Sequence, residues 1–166
     1  MSNSQNTNKS KAITITKITI DTKNKLIKIL LRQGFIKIQQ SGNTSAIWQV
    51  MSPDNIITIK SAWEGNTNEW EINGNNNLVI RQKITNAWEV VGHNTYLYIR
   101  KQNKEWHIAG EYGDIFVFNI IENGHITEAD VDDLMVNENL VNKIAGIFAV
   151  AICIFASHQK RKYTQI

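Results

Sequence analysis

The sequence is poor in cysteine and proline, with one of each in 166 residues. A single thiol, Cys153, cannot form an intrachain disulfide, and this indicates a reducing, cytoplasmic environment. Residues Met1 to Lys11 are polar throughout, so they lack the apolar core of a secretory signal and are predicted to form a disordered tail. A dense basic stripe is also missing, since the net charge is only +3, and this disfavours a nucleic-acid-binding protein.

A recognisable catalytic constellation is missing as well. The histidines are scattered without metal-ligand spacing, at His93, His107, His125 and His158. Glu105 and His107 would share one face of a strand, which permits an acid–base pair, but no motif places a nucleophile beside them. Cys153 lies in an apolar segment, where burial raises the pKa of a thiol and makes it inert. We therefore expect a protein without enzymatic activity, bound metal or cofactor.

A long series of short apolar strands makes up the middle of the chain. Turn residues such as Asn, Gly and Asp separate them, and connections this short force neighbouring strands to run antiparallel. The predicted strands are Ala46–Met51, Ile56–Ser61, Glu69–Ile72, Leu78–Lys83, Ala87–Val91, Thr95–Lys101, Glu105–Ala109 and Asp114–Ile121. The segment Asn68–Gly74 is echoed by Asn86–Gly92, which indicates two successive hairpins of a meander.

Three flanking segments have distinct patterns. The alternation in Ala12–Ile20 slips once, which predicts a strand that carries a β-bulge. Lys25–Gln33 has apolar residues at helical spacing and is followed by Gly34, a residue typical of a helix C-cap, so it predicts a short helix. An acidic segment, Glu128–Met135, follows Thr127 as a possible capping residue and predicts a second short helix.

The segment Ile144–Ala156 has no charged or strongly polar side chain. It could be a buried helix or a membrane anchor, but thirteen residues rise only ~20 Å at ~1.5 Å each, against a bilayer core ~30 Å thick. Length therefore favours a buried helix, predicted over residues 138–157 with Asn137 as its N-cap and residues 158–166 as a basic tail. A small tail-anchored protein with a cytoplasmic β domain is the alternative.

A helix that is apolar on every side must be surrounded on every side. One face of an open sheet cannot surround it, whereas a closed sheet can, and closure also removes exposed strand edges. We therefore expect a single domain over residues 12–157. It would be mainly β, a closed antiparallel barrel around a hydrophobic C-terminal helix, with one or two short additional helices.

This order of elements resembles the tubby C-terminal-like superfamily, which includes Tubby proteins, phospholipid scramblases and LURP-one-related proteins. The resemblance rests on Trp70–Lys101, Trp106–Gly110, Ile115–Ile121 and the helix around Ile144–Phe155. It implies a closed barrel threaded by a hydrophobic helix. The resemblance itself implies little about activity, since a shared fold carries no shared activity. Because the sequence has no catalytic constellation, we expect a non-enzymatic binding or scaffold role.

The resemblance further implies contact with anionic phospholipid through basic side chains on the barrel exterior. The corresponding basic cluster in this sequence is Arg81, Lys83, Arg100, Lys101 and Lys104. Such side chains could hold a phosphate headgroup through charge-assisted hydrogen bonds. The alternative interpretation is a solvated strand edge, where lysine discourages edge pairing. In the first case the protein would be cytoplasmic and associated with a membrane surface.

Overall fold

A computed structural model describes residues 14–32, 34–41, 46–51, 56–61, 68–73, 77–93, 95–111, 113–133 and 140–164. These residues form twelve β-strands followed by one helix, α1, at Leu140–Thr164. The strands are β1 Ile15–Asp21, β2 Leu26–Leu31, β3 Phe35–Gln40, β4 Ile47–Met51, β5 Ile56–Ser61, β6 Glu69–Asn73, β7 Leu78–Ile84, β8 Ala87–Gly92, β9 Thr95–Gln102, β10 Glu105–Gly110, β11 Gly113–Asn123 and β12 Ile126–Asp133.

The strands form a closed antiparallel barrel in which each strand pairs with its neighbour in the chain. Strands β1 and β12 close the cylinder, with Ile18 opposite Ala129. The predicted closed barrel is thus confirmed, and the eight strands predicted between residues 46 and 121 are all present, with ends within two residues of those expected. Closure gives every described strand a partner on both sides, so these strands leave no open sheet edge.

The inner wall of the barrel is formed by alternate residues of each strand. Ile36 and Ile38 of β3, for example, are completely buried, whereas Gln39 of the same strand is exposed. The two copies of the sequence repeat form the successive hairpins β6–β7 and β8–β9. Their tryptophans, Trp70 and Trp88, both face the interior and are 1% exposed. The repeat therefore supplies two equivalent aromatic positions to the core.

The predicted bulge lies in β1. The pairing with β2 shifts between Ile15 and Lys17, so Thr16 is the extra residue. The slip keeps Ile15, Ile18 and Ile20 on the inner wall, although their spacing is not strictly two. The predicted irregularity is confirmed, and its role is to keep the apolar residues facing inward.

The helix predicted over Lys25–Gln33 is wrong, because the segment forms strand β2 and pairs with both β1 and β3. Only alternate residues face the core: Ile27 and Ile29 are fully buried, whereas Leu30 is 43% exposed. Gly34 does have a positive φ of 97°, but it closes the β2–β3 hairpin, where its carbonyl accepts a hydrogen bond from Leu31 N–H at 2.9 Å. Gly34 thus has the positive φ that is typical of a C-cap glycine, but it belongs to a hairpin turn and not to the end of a helix.

The second predicted helix, Glu128–Met135, is also wrong over its described part. Residues Ile126–Asp133 form strand β12, in which Thr127 and Ala129 are buried. The capping residue Thr127 therefore lies on the inner wall instead of at a helix N-terminus. The last residues of that predicted helix, the predicted N-cap Asn137 and the N-terminal tail lie outside the described residues.

Helix α1 fills the barrel. The Phe148 ring packs edge-on against Trp48 and Trp70, at centroid distances of 5.6 and 5.1 Å, and Phe155 stacks on Trp48 at 5.5 Å. Of the window Leu140–Ser157, which is long and apolar enough to cross a membrane, 72% is buried inside the barrel. The helix continues to Thr164, seven residues beyond its predicted end at Ser157. The segment predicted as a basic tail therefore begins as helix.

The direction of the helix distinguishes the two ends of the barrel. Near its start, Asn142 donates a hydrogen bond to Thr95 Oγ1 at 3.5 Å, beside the β8–β9 turn. Near its other end, Ser157 lies with Asn86 and Lys104, which belong to the β7–β8 and β9–β10 turns. We call the latter the exit end, because the helix leaves the barrel there.

Candidate functional site

The predicted basic cluster is divided between the outer wall and the exit end. Arg81 and Lys83 project from the outer face of β7, opposite the buried residues Leu78 and Ile80. Arg100 projects from the outer face of β9. Lys101 and Lys104, by contrast, line a recess at the exit end. The structure therefore does not bring the five side chains together into one site.

On the outer wall, Arg81 and Lys83 surround a buried carboxylate. Glu89 of β8 is 5% exposed, and its Oε1 lies 3.1 Å from Arg81 Nη2 and 3.8 Å from Lys83 Nζ. Its other oxygen accepts a hydrogen bond from the Tyr96 hydroxyl at 3.1 Å. A buried carboxylate without its cations would be strongly destabilising. These two basic residues consequently have a structural role, which weakens the prediction that they serve mainly as a headgroup site.

Arg100 belongs to a second polar group on the outer wall. Its Nη1 lies 3.7 Å from Asp114 Oδ1, and the other oxygen of Asp114 lies 2.9 Å from His107 Nδ1. His107 Nε2 lies 3.6 Å from Glu105 Oε1. The predicted contact between Glu105 and His107 therefore exists, but Asp114 makes the shorter contact. Within the described part of the chain, no group of three or more His, Cys, Asp or Glu side chains could hold a metal ion.

The exit end contains an open recess of about 780 Å³. Strand ends, turns and the last buried turn of α1 all contribute to its wall. Its described lining residues are Asn68, Gln82, Thr85, Asn86, Trp88, Lys101, Lys104, Trp106, Ile120, Glu122, Ile152, Cys153, Ile154, Ala156 and Ser157. Neither Lys101 nor Lys104 forms an ion pair with a carboxylate of the described residues. Their charges therefore face the recess without an ion-pair partner among the described residues, although the carboxylate Glu122 lines the same recess.

Cys153 forms part of the wall of this recess. The indole N–H of Trp88 donates a hydrogen bond to its sulfur at 2.9 Å. Burial raises the pKa of the thiol to about 11, and the Trp88 hydrogen bond and the charge of Lys101 lower it only in part. The prediction that burial raises its pKa is confirmed, although the side chain is only partly buried because it borders the recess.

Two further sequence predictions concern histidine. His93 lies in the β8–β9 turn and His125 in the β11–β12 turn, and both are exposed as expected.

The sequence did not reveal Glu89 or Asp114 as partners of the basic residues. Glu89 lies directly opposite Arg81 in the β7–β8 pair, whereas Asp114 of β11 is two strands away from Arg100 of β9. Only the strand order and register of the sheet could have paired them.

Neither a protein-family model, nor a curated protein, nor a solved structure matches this chain.

Proposed function

We propose that this protein is a non-enzymatic, tubby-like binding module that contacts anionic phospholipid surfaces through the exit end of its barrel. The single observation that carries the proposal is the position of Lys101 and Lys104. Both lie at the mouth from which α1 emerges, and neither forms an ion pair with a described carboxylate. Exposed lysines clustered at one end of a domain attract anionic headgroups, each by about 1 kcal/mol near the surface.

Two further features support this proposal. The enclosed helix is the arrangement that the resemblance to tubby-like proteins implies. Beyond Ser157, the helix continues through a segment whose sequence includes Lys160, Arg161 and Lys162. Because the helix backbone leaves the barrel at the exit end, these three cationic residues belong to the same end of the molecule as Lys101 and Lys104. Surface charge of one sign steers a protein toward a membrane of the opposite sign.

The outer-wall residues are less suitable for this role. Arg81 and Lys83 form ion pairs with Glu89, and Arg100 lies near Asp114. Each cation still has an exposed portion, so it can contribute to the general positive field. Direct coordination of a phosphate would nevertheless have to compete with a carboxylate that is already in place. The lysines of the exit end form no ion pair with a described carboxylate, and Glu122 is the one carboxylate among the described residues that line their recess.

Flotation with liposomes tests the proposal. The wild-type protein should float with vesicles that contain phosphatidylserine and not with vesicles of phosphatidylcholine alone, and added salt should weaken the association. The double variant Lys101→Glu/Lys104→Glu should lose flotation. A matched control, Lys37→Glu/Lys60→Glu, makes the same change of charge on the outer faces of β3 and β5 and should retain most of it. Equal flotation on both vesicle types, or equal loss in both variants, would contradict the proposal.

An anchored protein is the alternative hypothesis, and the burial of α1 inside the barrel argues against it. Membrane fractionation separates the two possibilities. A surface-bound barrel should leave membranes in high salt or at alkaline pH, because electrostatic contacts are screened or titrated. A protein that remains in the membrane fraction after both washes would support the anchor instead.

A further inference from the structure

The recess at the exit end has the size and the wall of a ligand site. Its volume of about 780 Å³ lies within the range of about 300–1,000 Å³ that is usual for small-molecule pockets. Its apolar wall residues differ in exposure: Ile120 and Cys153 are partly exposed and Ala156 is exposed, whereas Trp88, Trp106 and Ile152 are buried and reach the recess only at their edges. Such a wall favours a hydrocarbon ligand, because binding removes apolar surface from water on both sides.

The recess exists because one side of the helix becomes slim near the exit end. Cys153, Ala156 and Ser157 present short side chains to the β7–β10 side of the barrel. The large Phe155 ring is on the other side, where it stacks on Trp48 and lies 5.2 Å from Lys25 Nζ. At the level of Phe155, aromatic side chains therefore fill only the side of the barrel that contains Trp48. The space on the opposite side stays open to solvent.

The rim of the recess is polar and carries positive charge. Lys101 and Lys104 contribute ammonium groups, and Asn68, Gln82 and Asn86 contribute amide groups. Glu122 also lines the recess, but it already takes part in an interaction within the protein. An apolar wall below a cationic rim matches a ligand with an apolar body and an anionic head.

We propose that the recess binds a single acyl chain with an anionic head group. The chain lies against Ile120, Cys153 and Ala156. The carboxylate or phosphate head lies between Lys101 and Lys104. This inference rests on the proposed function, since it uses the same two lysines. It extends that function from contact with a membrane surface to the uptake of one lipid chain. A carboxylate and a phosphate head satisfy the same lysines, so the experiment distinguishes them.

Calorimetric titration with soluble ligands is the first test. Decanoate and decyl phosphate should both bind, and octanoate should bind about tenfold more weakly than decanoate because two buried methylene groups are lost. Inorganic phosphate alone should bind far more weakly than decyl phosphate. Equal affinities for inorganic phosphate and decyl phosphate would show that the chain contributes nothing and would overturn the proposal. A preference between the two decyl ligands identifies the head group.

The rate at which Cys153 reacts with a thiol reagent reports specifically on the recess, because Cys153 is the only thiol in the sequence. Saturating decanoate should slow its reaction with a small methanethiosulfonate reagent at pH 9 by about fivefold or more, since the chain covers the sulfur. Decanoate that binds in the calorimeter without protecting Cys153 must bind elsewhere, and that result would also overturn the proposal. Inorganic phosphate at the same concentration is the control for ionic effects.

Variants separate this inference from the proposed function. Lys101→Gln/Lys104→Gln should weaken decanoate binding by about tenfold, whereas Lys37→Gln/Lys60→Gln should leave it unchanged. Ala156→Phe places a ring at an exposed position of the recess wall without altering the buried core. It should abolish decanoate binding but retain flotation with anionic vesicles. Retained decanoate binding in a folded Ala156→Phe protein would overturn the acyl-chain site, whereas lost flotation in the wild type would overturn only the surface contact.

Discussion

Gly146 illustrates how closely individual residues are packed around the central helix. A Cβ added at this position would lie 2.7 Å from Ile108 Cδ1 and 3.2 Å from Ile108 Cγ2, which is closer than ordinary van der Waals contact allows. Glycine normally weakens a helix interior by about 1 kcal/mol relative to alanine. Here that cost is offset, because the lack of a Cβ lets the helix pack closely against Ile108 of β10. Only the structure shows that a larger residue at position 146 would have to displace the Ile108 side chain.

The thiol of Cys153 should make stability fall at alkaline pH. Its folded pKa of about 11 lies above the value of about 8.5 for a free thiol, so the unfolded chain loses this proton first. The unfolded state then binds fewer protons than the folded state, and the linkage relation gives a free energy of unfolding that decreases as pH rises from about 8.5 to 11.

Comparison with Cys153→Ala isolates this contribution from that of other groups. Between pH 8 and pH 10 the wild type should lose about 1–2 kcal/mol more than the variant. Urea denaturation at several pH values measures the difference. The constant offset from lost packing does not matter, because only the change with pH is compared. Parallel stability curves for the two proteins would show that the thiol ionises equally easily in both states.

At the level of secondary structure, the strands with strict alternation were predictable and two segments were not. In β2, the apolar residues Leu26, Ile27, Leu30 and Leu31 match helical spacing, but the strand buries Ile27 and Ile29. The chain forms a strand because β1 and β3 offer hydrogen-bonding partners on both sides. In β12, acidic residues suggested a helix N-terminus, yet they lie on a strand that closes the barrel against β1. Such tertiary pairing overrides local preference.

Alanine substitutions distinguish the strand from the helix in β2. Ile29 is fully buried and was not among the residues of the predicted helical stripe, whereas Leu30 belonged to that stripe and is 43% exposed. Ile29→Ala should therefore cost about 2–5 kcal/mol of stability, and Leu30→Ala should cost less than about 1 kcal/mol. Chemical denaturation followed by tryptophan fluorescence measures both values. The reverse order would contradict the observed strand.

For the whole molecule, the all-apolar segment contained the decisive information. Its length and lack of polar groups predicted both the enclosed helix and the closed sheet around it, and the structure contains both. The candidate site was less accessible to prediction. The sequence grouped five basic residues, but strand alternation sends Arg100 to the outer wall and its neighbour Lys101 to the recess. A cluster in sequence is divided whenever consecutive residues face opposite sides of a sheet.

Removal of the central helix should prevent folding. Deletion of residues 143–166 removes buried side chains that include Ile144, Ile147, Phe148 and Val150. Burial of each large apolar side chain contributes roughly 1.5–3 kcal/mol, so the total loss exceeds most of a typical stability of about 5–15 kcal/mol. The truncated protein should show no cooperative thermal transition by circular dichroism.

A shorter truncation provides the control for this experiment. Deletion of residues 158–166 keeps Phe155 and the other helix side chains that the structure describes as buried. That protein should unfold cooperatively, within about 1 kcal/mol of the full chain, because it loses no described core contact. A cooperative transition in the longer deletion would show that the strands form a stable barrel without the helix.

The order of elements along the chain also has a consequence for synthesis. All twelve strands of the described chain precede helix α1. The ribosome therefore synthesises the barrel wall before the helix that fills it. Until that segment emerges, the isoleucines and tryptophans of the wall have nothing to cover them, and nascent chains in this condition tend to aggregate. These wall residues can be covered only after helix α1 has left the ribosome, so the chain is most prone to aggregate before that point.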